Sequence, residues 1–148
     1  MGVYGHSMGG AASGLNIADA SVVKKYNLGA AVCLHPAYVE PTFLPQMPTF
    51  LATGSADAIV PPASVKKMWN QATIGKKVPM VFAEIKGANH FECQSYEPAH
   101  GHPKHRWTPY VIDWMDCYIK GVSSACTAAV SVCKGLPMSP DGCLHRHT

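Results

Sequence analysis

The chain has 148 residues, of which 47% are hydrophobic and 14% charged, and its formal net charge is +3. These values fit a single globular domain and exclude a disordered segment. No basic run is longer than the Lys-Lys pairs at 24–25, 66–67 and 76–77, and no apolar stretch approaches the ~18 residues of a membrane span, so the sequence offers neither a nucleic-acid arm nor a transmembrane helix.

In chain order, residues 2–4 read as the stump of a strand. Residues 8–16, small and apolar, form a helix that packs close to its neighbours. The continuous apolar run at 28–34 is the pattern of a strand covered on both faces, and His35-Pro36 ends it. Residues 48–53 form a second such strand, closed by the turn residues Gly54-Ser55-Ala56-Asp57. A helix over 61–71 begins with proline and carries Val65, Met68 and Trp69 at helical spacing. A third apolar strand spans 78–85. A helix over 109–119 follows, with Tyr110, Ile112, Trp114, Met115 and Ile119 as its expected buried side. Strands separated by helices predict an α/β fold with a mostly parallel, doubly wound sheet. Residues 1–122 form the main domain, and 123–148 a loop-rich, disulfide-tied tail.

Six cysteines bear on compartment. Cys117 ends the last helix, and Cys126, Cys133 and Cys143 lie in the Ser/Ala/Gly/Pro-rich tail without any CxxC pair. Irregular spacing of this kind predicts disulfides and a secreted protein, although the first ten residues carry no signal-peptide pattern. Cys33, inside an apolar strand, is expected to be a free core thiol.

Gly5-His6-Ser7-Met8-Gly9 stands between a strand and a helix, the context in which Gly-x-Ser-x-Gly forms a nucleophile elbow. The serine sits on a sharp turn, with small residues two positions to either side where larger ones would collide. The turn lifts the hydroxyl above the sheet edge and aims the Met8 N–H at a developing oxyanion. Asp57 follows one strand by four residues and His90 follows the next by five. Both fall on loops that such a sheet presents at its ligand-binding edge. The order serine, acid, histidine assigns Ser7 as nucleophile, His90 as general base and acid, and Asp57 as the carboxylate that orients His90. Asp19, Glu40, Asp113 and Asp116 are weaker candidates for the acid. His6 packs under the elbow or borders the substrate, and His35 lines the pocket or fills a loop.

These residues resemble the cutinase-like polyester hydrolases, relatives of the dienelactone hydrolases. The resemblance rests on Gly5-His6-Ser7-Met8-Gly9-Gly10, on residues 48–61 with Asp57, and on Gly87-Ala88-Asn89-His90. It implies an α/β-hydrolase fold and hydrolysis of small or polymeric carboxylic esters without a cofactor or metal. It also places Met8 in the oxyanion hole, Tyr38 as an aromatic wall of the acyl pocket and Ile59 as an apolar wall. Some of these enzymes join the acid and histidine loops by a cystine. Here the acid loop has Gly54 and Ser55, so Cys93 is expected to find another partner, with the tail offering candidates.

The family places further strands before the elbow, so the chain reads as the C-terminal half of a hydrolase with impaired activity. Its expected partners are then the missing N-terminal half, or a second copy joined through an exposed sheet edge. Two rival readings stand. One is a non-catalytic hydrolase fragment. The other is a metal-binding module built on His100, His102 and His105, with His145 and His147 nearby.

Overall fold

The computed structural model describes residues 1–37, 43–72, 78–93, 106–129, 131–135 and 138–146. Tyr38, Glu40, His100, His102, His105 and His147 lie outside the described residues. Strand β1 (Gly2–His6) leads through Ser7 into helix α1 (Met8–Ala18). There follow α2 (Ala20–Tyr26), β2 (Ala30–Leu34), β3 (Thr49–Gly54), α3 (Pro62–Ala72) and β4 (Met80–Ile85). Then come α4 (Thr108–Met115), a π-helical turn (Asp116–Lys120), α5 (Ser123–Ala129), α6 (Val132–Gly135) and β5 (Met138–Arg146).

The five strands form one sheet in the order β1-β2-β3-β4-β5. The first four are parallel, and β5 joins β4 antiparallel. The fold is therefore α/β with a mostly parallel sheet. All residues of β2 and β3 are buried, which is why both read as unbroken apolar runs. Their side chains alternate between two cores. Ala31, Cys33 and Leu51 face a core completed by Ile17, Val65, Met68 and Phe82, beneath α1 and α3. Ala30, Val32, Leu34 and Phe50 face a second core built around Trp107 and Trp114 of the α4 side. Among the described residues β1 and β5 are the sheet edges, and Tyr4 of β1 is 54% exposed.

The structure adds one helix and corrects three expectations. A separate helix, α2, follows α1. The Asp19 side chain accepts from the Ser21 and Val22 N–H groups (2.8 and 3.4 Å), so this candidate acid is a helix cap. The last helix buries a narrower side than its apolar pattern implies. Trp114 is fully buried, whereas Ile112 and Ile119 are 53% and 37% exposed. The tail is not loop alone, because it supplies α5, α6 and β5. Disulfide Cys117–Cys126 ties it to the π-helical turn and Cys133–Cys143 ties it internally, each closing a short loop worth about 2–3 kcal/mol in chain entropy. Cys93 takes no partner from the tail and remains a free thiol, as does Cys33.

Candidate active site

Ser7 joins β1 to α1 at φ 57° and ψ −120°. A non-glycine residue at positive φ stores about 1–3 kcal/mol and persists only where its surroundings impose it. Here the backbone is pinned on several sides. The Ser7 N–H donates to the Leu34 carbonyl (3.0 Å), and the Ser7 carbonyl accepts from Ala11 and Ala37 (3.0 and 3.1 Å). A Cβ on Gly5 would lie 2.1 Å from the Gly9 carbonyl oxygen, so β1 can turn this tightly onto α1 only with glycine there. Gly9, in contrast, has open space where a Cβ would stand. The expectation of a collision on both sides of Ser7 therefore holds for Gly5 and not for Gly9. Met8 opens α1, where the first N–H groups have no intrahelical acceptor, and its side chain is 80% exposed. What Met8 can offer chemistry is its backbone N–H.

Asp57 lies in the turn after β3. Its Oδ1 accepts from the Ile59 and Val60 N–H groups (2.9 and 2.8 Å), which fixes the plane of the carboxylate. Its Oδ2 accepts from Nδ1 of His90 and from Nδ1 of His35, both at 2.8 Å. Burial alone would raise this carboxyl. The bonds from His35, His90, Val60 and Ile59 outweigh burial and hold Asp57 well below the usual carboxylate range. An ionised carboxylate only accepts hydrogen bonds, so neutral His90 carries its proton on Nδ1 and keeps a lone pair on Nε2. The acid and histidine loops are locked together. A Cβ on Gly54 would stand 2.1 Å from the Ala88 carbonyl oxygen, and that same oxygen accepts from the Ala56 N–H at 3.0 Å.

His6, at the end of β1, donates from Nε2 to the His90 carbonyl (2.8 Å), and the two rings lie 4.7 Å apart. Burial lowers the His6 pKa first of all, and the neighbouring imidazoles add to this. The bond to the His90 carbonyl and the charge of Asp57 oppose it. His6 thus braces His90 as well as bordering the elbow. Ser7, Asp57, His90 and His6 come together at the carboxyl ends of β1, β3 and β4. Among the described residues Ser7 Oγ makes no hydrogen bond to His90. Such bonds are commonly loose before substrate binds. Ile59 contributes its N–H to Asp57 while its side chain is 57% exposed.

Two residues were underestimated in the sequence. His35, read as a pocket or loop filler, is fully buried and bonded to Asp57. Its position directly after a strand, on the same sheet edge as Ser7, Asp57 and His90, was the available signal. Glu92 is buried two residues beyond His90 and pairs with Arg106, which anchors the histidine loop to the segment leading into α4. Cys93 donates weakly to the His90 carbonyl (3.9 Å), and burial foremost pushes its thiol up to about 12. Beside this loop a cavity of about 250 Å³ is lined by Tyr4, Leu34, Cys93, Trp107, Thr108, Val111 and Ile112, and by none of Ser7, Asp57 and His90. One ligand atom from each of His35, Asp57 and His90 falls within 4.8 Å of the others, as three metal ligands would. Their closeness is already accounted for by the two hydrogen bonds to Oδ2.

No protein-family model matches the chain, and no curated protein matches it.

Proposed function

We propose that the chain is a serine carboxylic ester hydrolase of the α/β-hydrolase fold, acting through an acyl-enzyme. One arrangement carries the reading. A strained serine between a parallel strand and a helix shares a sheet edge with an Asp57–His90 pair in which Nδ1 faces the carboxylate. In this reading Ser7 Oγ attacks the ester carbonyl while His90 Nε2 takes its proton. The Met8 N–H, at the positive end of α1, stabilises the developing oxyanion. One such donor is worth roughly 10²–10³ in rate. His90 then returns the proton to the leaving alcohol. Water attacks the acyl-enzyme by the reverse use of the same groups. Asp57 holds the tautomer of His90 and stabilises its cation. No cofactor enters these steps.

The resemblance of the three segments to cutinase-like polyester hydrolases favours short-chain or polymeric esters. Two disulfides support an oxidising compartment, hence secretion. Among the described residues no helix is long and apolar enough to cross a membrane. The test is release of p-nitrophenolate from p-nitrophenyl butyrate, with Ser7→Ala as reference. The expected result is hydrolysis that the substitution removes. A rate equal in both proteins contradicts the reading.

A further inference from the structure

We infer that His35 is a positioning residue of this site: by donating to the same carboxylate oxygen as His90, it holds Asp57 in place for His90 and shares the charge that His90 faces. The inference rests on the triad reading above.

Three observations carry it. His35 and His90 approach Oδ2 of Asp57 at the same 2.8 Å, and because the carboxylate only accepts, both rings present an Nδ1–H. Among the described residues Nε2 of His35 is buried without a hydrogen-bond partner, and the bond to Asp57 is the ring's one hydrogen bond. A buried histidine serving packing alone would be better replaced by an apolar ring, which leaves no unpaired nitrogen. The backbone of His35 is also strained, at φ 43°, immediately before a proline, with its N–H tied to the Ala52 carbonyl at 2.7 Å. Strain of this kind collects where a side chain must be aimed.

The consequence has a sign. Two donors divide the negative charge of one oxygen. Without the donor at position 35 the carboxylate becomes a stronger acceptor for His90 and holds its imidazolium more firmly. His90 must be neutral to accept the Ser7 proton, so the acid limb of activity moves to higher pH. The other titratable or charged groups around His90 are His6 of β1, Cys93, and the Glu92–Arg106 pair, with Tyr4 beyond Cys93. Among the described residues none of these bonds to Asp57 Oδ2, so substitution at position 35 isolates the shared bond.

The experiment measures the rate at which a fluorophosphonate labels Ser7 between about pH 5 and about pH 9. It compares the natural chain with His35→Phe, which keeps a ring and loses the donor, and with His35→Asn. Asparagine offers an N–H close to the Nδ1 position and tolerates positive φ. The expected result is an acid limb displaced upward in His35→Phe and restored in His35→Asn. Equal limbs in all three proteins, or an equal displacement in both variants, overturn the inference. No adduct on the natural chain at any pH overturns the triad reading instead. Nitrogen-15 NMR of the histidine rings in the natural chain decides the shared bond without any variant. Nδ1–H on both His35 and His90 is expected, and an Nε2–H tautomer at His35 overturns it.

Discussion

Gly5 and Gly9 stand two residues to either side of Ser7, but the turn makes unequal demands on them. A methyl group on Gly5 would meet the backbone of Gly9 and Gly10, neither of which can move without opening the turn. Gly9 lies in the first turn of α1 with nothing close to it. Gly5→Ala should therefore abolish labelling of Ser7. Gly9→Ala should leave labelling intact and raise stability by up to about 1 kcal/mol, because glycine is a poor helix residue. Urea denaturation of both variants checks the pair. Asp57 carries a second prediction. Asp57→Asn should lower ester turnover on the order of 10⁴-fold, since an amide cannot hold His90 in the Nδ1–H tautomer with a compensating charge. Asp57 also links stability to pH. Its carboxyl is depressed in the folded state, so its contribution is complete above the ordinary carboxylate value of about 4 and is lost as pH falls below that. The stability gap between the natural chain and Asp57→Asn should narrow between neutral pH and pH of about 3, as read by urea titrations at each pH. A constant gap contradicts the assignment.

At the scale of elements, the strands were legible because burial on both faces of a parallel sheet leaves a continuous apolar signature. β2 and β3 carry it without interruption. Helix α3 was legible through Val65, Met68 and Trp69, all of which are buried. Helix α4 was overread, since an apolar residue on a helix is not obliged to be covered. Ile112 belongs to the apolar pattern and faces the cavity beside β1, half exposed. Met68→Ala should accordingly cost about 2–5 kcal/mol, and Ile112→Ala less than about 0.5 kcal/mol. Thermal unfolding of the two variants separates them. The tail was misread for a different reason. Its α5 and α6 are short, β5 pairs with β4 through an irregular register, and all are held by two disulfides and that pairing, none of which leaves a periodic trace in sequence. At the site, the pairing of Asp57 with His90 was legible from chain order. His35 was not, because no motif marks it and its bond to Asp57 exists only once β2 and β3 lie side by side.

At the scale of the whole molecule, one sheet edge gathers Ser7, His35, Asp57 and His90, while the C-terminal part of the chain carries both disulfides. The pairing of cysteines gives a direct check of that arrangement. Two disulfides leave Cys33 and Cys93 as thiols, and burial pushes each up to about 12. A thiol assay on the native, unreduced chain near neutral pH should detect neither, and the same assay in denaturant should detect both. Detection of no thiols after denaturation would mean that Cys93 is bonded and that the histidine loop is held differently. Activation of Ser7 by His90 and Asp57 is read by intact mass after treatment with a fluorophosphonate, beside Ser7→Ala, because an activated serine is labelled even when turnover is slow. A single adduct that the substitution removes is expected. An unmodified natural chain, or an adduct that persists in Ser7→Ala, would contradict it.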